Sequence, residues 1–442
     1  MSTENLTAPE PVAPSKEQAA AARRALFANA NFRWLLGGGL LSMLGDQFTL
    51  IAMPWLVLQL SQDPLVLGTV LALGSLPRAL FILVGGAIVD RYSSKAVLML
   101  TKLVNGALLA TLAALVWTGT VSLPLVYAIS LAIGLATAFS YPAGSSILPQ
   151  VLPKDGLQMA NGVLMGMRQL SVLLGPVLAG LLIAGLGADP ALREAAAGAD
   201  RHGLALAFGF DALSFLISSW TLAQVRLLAS EPGDEARQPV LQSIAEAMRW
   251  CWRDVELRTL CLYFAAVSFF VVGPIQVALP VLAKTQLPDG AAALGLMFTV
   301  HGLGSLVGMG IAGAKPHWRL SSLGATILLI DTIAALVFMP FGHIHASWQG
   351  AALLLPLGAL AGTVQVAVFS WMQRRVPAAM MGRAMSLFMF IFMGLAPLAS
   401  AAAGAALRVL SPADLFTASG LALLLIVAFG AVMTPIRRIA FA

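Results

Sequence analysis

The sequence predicts an all-α membrane protein with twelve transmembrane helices arranged as two six-helix, pseudo-symmetric halves. Three observations carry this prediction. Of 442 residues, 59% are hydrophobic and 10% are charged, and the mean hydropathy is +0.87; about a quarter of an ordinary soluble domain is charged. The apolar residues gather in runs of about 20, the length a helix needs to cross a bilayer. No ten-residue alternation of the membrane β-strand kind is present, so the spans are helices, each satisfying its own backbone hydrogen bonds in lipid. Finally, the longest polar interval falls between the sixth and seventh runs and leaves six spans on each side.

Bounded by charge, Pro or Gly, the runs cover 33–59, 66–89, 96–117, 123–147, 159–187, 204–225, 259–284, 291–314, 322–341, 347–371, 384–407 and 413–434. This divides the chain into a disordered cytoplasmic tail (1–28), a first half (29–225), a central loop (226–258) and a second half (259–436). Within the loop, Ser243–Arg258 places Ile244, Met248 and Trp252 at fourfold spacing with charges opposite, the pattern of an amphipathic helix lying on the membrane. Residues 1–25 are polar and rich in Ala and Pro, without the basic and apolar regions of a cleaved signal. An internal repeat supports the two halves. Val151-Leu152-Pro153 leading to Ala160 is echoed 224 residues later by Arg375-Val376-Pro377 leading to Ala384, each at the start of the fifth span of its half.

Orientation follows from the basic residues of the loops. Those of the amino-terminal tail, loop 2–3 (Arg91, Lys95, Lys102), loop 4–5, the central segment, loops 8–9 and 10–11 and the carboxyl-terminal tail lie on one side, against only Arg193, Arg201, Lys284 and Arg408 on the other. Both termini are therefore expected in the cytoplasm. Arg78 and Arg168 remain inside spans two and five.

Several function classes are disfavoured. The basic residues are scattered over short loops, so nucleic acid is not an expected partner. No phosphate-cradling GxxxxGK[ST] is present, and no His/Cys/Asp cluster has metal-ligand spacing, so neither ATP nor a cofactor is expected. Cys251 and Cys261 offer no disulfide framework. No catalytic arrangement emerges, and an enzyme is not expected.

Gly86-x-x-x-Asp90-Arg91-x-x-x-Lys95, between spans two and three, resembles motif A of the major facilitator superfamily of transporters. In that family the Gly lets neighbouring helices pack closely, and the Asp and basic residues form a cytoplasmic clasp that holds the outward-open state; Ser93 stands here where a second Gly is usual. In span five, Gly162, Ser171, Gly175, Pro176, Ala179 and Gly180 match the antiporter motif C of the same family, with Ser and Ala at two of its Gly places. Small residues let helices approach, and the Pro permits a kink; in the family this motif marks exporters. The motif B Arg of span four is missing from Ile133–Pro142, which leaves the usual proton route without its cation. Phe208–Phe215 and Gly382–Ser386 resemble strings of the subfamily that includes macrolide efflux proteins and the enterobactin exporter.

Asp46 lies at the middle of span one, where a carboxylate costs roughly 2.5–3.5 kcal/mol on insertion scales. Ser42, Asp46, Thr49 and Met53 share one face and Pro54 follows, so the face is polar and the helix can bend. Asp46 is thus a candidate for proton coupling or substrate contact; the alternative is a static ion pair with Arg78 or Arg168. Arg168, two turns before Gly175, points the same way as motif C and is a candidate partner for Asp46 or for an anionic group. Gln276 and Gln365, polar positions in spans seven and ten, join the candidate substrate set. His301 in span eight is able to titrate near neutral pH, although a packing role is the simpler reading. Asp211 and Asp331 are expected to be structural. Met381, Met385, Met389 and Met393 form a stripe along span eleven, read as packing or lipid-facing, with a deformable substrate wall as the alternative.

The resemblance implies a monomeric exporter of the bacterial cytoplasmic (inner) membrane that works by alternating access. It would move an amphipathic small molecule, drug- or macrolide-like or a secondary metabolite, in exchange for protons, with membrane lipid around it. Siderophore export, lysophospholipid transport and a transport-inactive receptor or scaffold are the alternatives.

Overall fold

The computed structural model describes residues 16–91, 93–185, 196–228, 249, 252–314, 322–376, 388, 390 and 394–440, and contains no strand among them. The helices are α1 (Lys16–Ala28), α2 (Ala30–Leu60), α3 (Pro64–Arg91), α4 (Ser94–Thr118), α5 (Leu123–Ile147), α6 (Lys154–Gly185), α7 (Ala196–Gln224), α8 (Val255–Gly273), α9 (Leu279–Gln286), α10 (Gly290–Ala314), α11 (Leu323–Phe338), α12 (Ser347–Arg375), α13 (Ala396–Ala406) and α14 (Pro412–Met433). Among the described residues eleven spans are long and apolar enough to cross a membrane, one of them formed by α8 and α9 together; α13 is a shorter apolar helix. It supplies the end of the span expected over 384–407, most of the rest of which lies outside the described residues.

Local chemistry sets many of the boundaries. Asn29 accepts the Phe32 amide at the start of α2, Asp254 accepts those of Glu256 and Leu257 at α8, Ser322 caps α11, and Ser411 and Asp414 form a capping box at α14. These groups satisfy amides that the first turn leaves without partners. Pro274 and Pro280 flank the junction of α8 and α9, which are joined by a π-helical turn over Pro274–Ala278. A proline has no N–H for the ladder, and the wider turn carries the span past it.

Two expectations change. Residues 16–28, expected to belong to a disordered tail, form α1. Its Ala-rich sequence favours a helix, and Leu26 is buried with Phe32, Leu36, Leu148 and Leu152 at the ends of the first-half helices. Lys102, assigned to loop 2–3, sits inside α4, eight residues or about 12 Å beyond its start. The segment 243–248, Cys251, the methionine stripe and the Gly382–Ser386 string lie outside the described residues.

In the first half α2 packs on α6 and α7, α3 on α5, and α4 on α5 and α7; in the second, α10 packs on α12, α11 on α14, and α8 on α13 and α14. Two seams join the halves, α6 on α10 and α3 on α13. Both are built on residues too small to keep backbones apart. A Cβ at Gly180 would lie 2.7 Å from the Ala291 carbonyl, and one at Gly295 would lie 2.3 Å from that of Pro176. At the other seam, a Cβ at Gly68 would lie 2.4 Å from the Ser400 carbonyl, and one at Gly404 would lie 2.7 Å from that of Pro64. All four glycines belong to the end of the bundle that carries the α2–α3, α9–α10 and α13–α14 connections. Toward the other end, Gly156, Gly162 and Gly166 of α6 and Gly310 and Gly313 of α10 have nothing within 4 Å of an added Cβ. Among the described residues the close glycine approaches that join the halves therefore lie at the end away from the termini.

An ion pair sits on top of the α3·α13 seam. Arg408 Nε donates to both carboxylate oxygens of Asp63, at 3.1 and 3.2 Å, and Asp63 in turn accepts the Leu65 amide at 2.9 Å. The acid lies at the amino end of α3 and the cation just past the carboxyl end of α13, where the helix dipoles favour each. Nearby, Lys284 Nζ donates to the Leu58 carbonyl. The hydrogen bonds from Arg408, and then that from the Leu65 amide, hold the Asp63 carboxyl below its usual range. A depressed acid stabilises the closed seam at pH above its usual value and loses that contribution only as pH falls through the depressed one. Distances between spin labels across this end should therefore stay constant from about pH 7 to 5 and lengthen only in stronger acid. Asp63→Asn or Arg408→Gln should shift the population modestly toward separation at neutral pH, because exposed pairs are screened.

Candidate functional site

The site lies in the first half, where α2, α3, α4 and α7 converge. Its geometry begins with Gly45. A Cβ there would lie 2.3 Å from Ser214 Oγ and 2.4 Å from Asp211 Oδ1, so a missing side chain on α2 is what admits the polar face of α7. Through this contact Thr49 Oγ1 donates to Asp211 Oδ2, while Ser214 Oγ donates to Oδ1 at 3.2 Å. Asp211 is 1% exposed. One turn along α2 from Thr49, Asp46 is exposed.

Two cations face these acids. The positive groups acting on Asp46 are Lys102 and Arg78, in that order, and Lys102 also acts on Asp211. Lys102 Nζ donates to Ser42 Oγ at 3.3 Å and lies 5.6 Å from the centre of the Phe215 ring, a cation–π distance. Arg78 is half-buried in the middle of α3, next to the buried Pro77, and its Nε is buried without a hydrogen-bond partner. Four ionisable groups from four helices thus form one set with no net charge when all are ionised. Sequence reasoning put Asp46 and Arg78 together but missed Lys102 and set Asp211 apart. The available signal was the placement of Lys102 well inside the third apolar run, seven residues from Lys95 and hence on the same helix face.

The other candidates fall elsewhere. Arg168 is exposed on α6 and is not among the charges acting on Asp46. Gln276 accepts a hydrogen bond from Ser400 Oγ at 2.9 Å, tying the α8–α9 junction to α13, and Gln365 is exposed on α12. His301 is half-buried between α10 and α12: its carbonyl lies 2.1 Å from where a Cβ of Gly358 would be, its side chain bonds to the Leu354 backbone, and its Nδ1 is unpartnered. Asp331 is buried in the second half and accepts the Tyr263 hydroxyl at 2.7 Å.

A profile of the Major Facilitator Superfamily matches residues 35–401. The chain belongs to this superfamily. The multidrug efflux pump Tap of Mycolicibacterium fortuitum is 26% identical over 305 residues, covering 67% of this chain and 70% of that protein. The enterobactin exporter EntS of Escherichia coli O1:K1 / APEC is 24% identical over 359 residues, covering 81% and 80%. Among solved structures, a bacterial homologue of the human lysosomal transporter Spinster, inward-facing and occupied, has a TM-score of 0.64 at 15% identity, covering 96% of this chain and 98% of its own. An inward-facing bacterial homologue of the iron transporter ferroportin has a TM-score of 0.64 at 18% identity, covering 91% and 97%. These likenesses show the superfamily fold.

The superfamily motifs can now be placed. Gly86, Asp90 and Arg91 lie on the last turns of α3, and their side chains are outside the described residues. Lys95 Nζ donates to the Ala223 and Val225 carbonyls at 3.0 and 2.7 Å, filling acceptors that the carboxyl end of α7 leaves free. Motif C forms the first-half side of the α6·α10 seam. An added Cβ at Gly175 would lie 2.4 Å from Gln47 Cβ of α2, Pro176 and Gly180 meet α10, and the Val177 amide donates to Thr299 Oγ1 of α10 at 3.1 Å. Gly162, at the opposite end of the motif, is exposed.

Gly45→Val should push α2 from α7 and break the Thr49–Asp211 contact. Overpacking of this kind costs typically about 1–3 kcal/mol, so the melting temperature of the detergent-solubilised variant should fall clearly, with a smaller fall for Gly45→Ala. An unchanged melting temperature for Gly45→Val would contradict the close approach described.

Proposed function

We propose that this protein is a secondary active exporter that moves an amphipathic small molecule out of the bacterial cytoplasm, in exchange for protons, by alternating access across the inner membrane. The observation that carries the proposal is Asp46, an acid in the middle of a membrane span, exposed and balanced by cations on two other helices. A carboxylate in that position is costly unless it is paired or protonated. Proton uptake from one side and release to the other uses both states. The efflux activities named for Tap and EntS support the outward direction. The asymmetry of basic loop residues supports cytoplasmic termini, and in that orientation the close glycine seams lie toward the outer face.

The similarity to the enterobactin exporter covers more of this chain than that to Tap, and it favours a siderophore as the second reading of the cargo. Both readings use the same cavity and the same coupling acid. They are separated by offering reconstituted protein a catecholate siderophore and a macrolide side by side.

Asp46→Asn should mimic the permanently protonated state. In proteoliposomes, export driven by an imposed pH gradient should be lost while downhill exchange of substrate survives. Gradient-driven export at the wild-type rate would eliminate Asp46 as the coupling group.

A further inference from the structure

On the reading of Asp46 as the coupling acid, we infer that Lys102 is a counter-ion shared between Asp46 and Asp211, and that its movement between them makes Asp211 a second proton-responsive member of the site. The geometry is symmetric about the lysine. On one side its Nζ bonds to Ser42, one turn before Asp46 on α2; on the other it lies over Phe215, one turn after Asp211 on α7. It is ion-paired with neither acid, yet both act on it, Asp46 the more strongly. Asp211 is held in place by Thr49 and Ser214, and α2 is locked against α7 by Gly45. The mobile member is therefore the lysine, a compact cation on a flexible four-carbon stem.

Charge balance supplies the reason for movement. With both acids ionised, Lys102 and Arg78 neutralise them. A proton on Asp46 removes its attraction for the lysine, and Asp211 becomes the remaining anion within reach. When that proton leaves, the lysine returns to Asp46. Each event trades a contact of α4 with α2 for one with α7, linking protonation at the cavity to helix packing behind it. The charges acting on the lysine are Asp46 from α2 and Asp211 from α7; Arg78 from α3 acts on Asp46, with Tyr141 of α5 acting on Arg78. Arg168 of α6, which packs on α2, is not among the groups acting on Asp46, Lys102 or Asp211.

The test needs no substrate. Full-length protein in lipid nanodiscs, with Cys251 and Cys261 replaced by Ser, carries spin labels at Ser145→Cys on α5 and Ala314→Cys on α10, and the distance distribution across the end away from the glycine seams is followed against pH. Removing the lysine takes away a cation that favours ionised Asp46, so Lys102→Met should move the midpoint to higher pH by about one unit or more. Removing the second acid leaves the shared lysine wholly to Asp46, so Asp211→Asn should move the midpoint to lower pH. With no lysine to share, the double variant should keep the Lys102→Met midpoint, and Lys102→Arg should stay near that of the wild type. A structural role for Lys102 does not produce opposite signs. Should Lys102→Met fail to fold, the downward shift of Asp211→Asn carries the test alone. An unmoved midpoint in Lys102→Met, or shifts of the same sign in the two single variants, would overturn the inference. Asp46→Asn separates the two levels: it should abolish the pH response. If the response persists in that variant, or is lacking in the wild type, the coupling reading itself fails, and the inference with it.

Discussion

The first half of this protein is organised by the requirement that charge inside a bilayer be neutralised. An isolated carboxylate or ammonium among lipid-facing helices is costly, and this half holds two acids and two cations at the meeting point of α2, α3, α4 and α7. No single helix carries a balanced set. Asp46 and Asp211 depend on Arg78 and Lys102, so the four helices must come together for any of them to be tolerated. The close approach at Gly45 and the hydroxyls of Thr49 and Ser214 follow from the same requirement, since a buried carboxylate needs its oxygens satisfied as well as its charge matched. The second half meets it differently: Asp331 has the Tyr263 hydroxyl as its partner.

The arrangement of the two halves gives that cluster its functional setting. Both seams are made where glycine lets backbone meet backbone, and both lie at the same end, that of the Asp63–Arg408 pair. Motif C is a structural part of one seam, with the Val177 amide bonded across it to Thr299. A change at Asp46 is felt by the helices that carry its counter-charges, Lys102 on α4 and Arg78 on α3.

Much of this was legible in the sequence. Spans of about 20 apolar residues announce themselves by composition, and the expected limits lie close to the observed helices because caps such as Asn29, Ser322 and Ser411 mark them. Gly175, Pro176 and Gly180 of motif C lie at close helix approaches, and the central position of Asp46 identified it as the acid to explain. What failed was depth and partnership. Lys102 looked like a loop residue because it follows Lys95 closely and basic residues are expected at membrane edges, yet α4 starts early enough to carry it inward. Arg168 shares a face with Gly175, but a face is not a contact, and two turns take it away from the seam into the open part of the bundle. Gln276, placed in the candidate substrate set, accepts from Ser400, a partner 124 residues away that spacing along the chain does not reveal. Residues 16–28 looked structureless because they are polar, whereas Leu26 found a buried place on the bundle.

The central claim is that Asp46 and Arg78 tolerate the membrane because each offsets the other, and a double-mutant cycle on thermal stability in nanodiscs tests it most directly. Asp46→Asn and Arg78→Gln should each lower the stability by leaving a charge unbalanced. The double variant should lose clearly less than the sum of the two, with a coupling beyond the roughly 0.3–0.5 kcal/mol within which independent sites add. Strict additivity would mean that the two residues do not neutralise each other and would contradict the account.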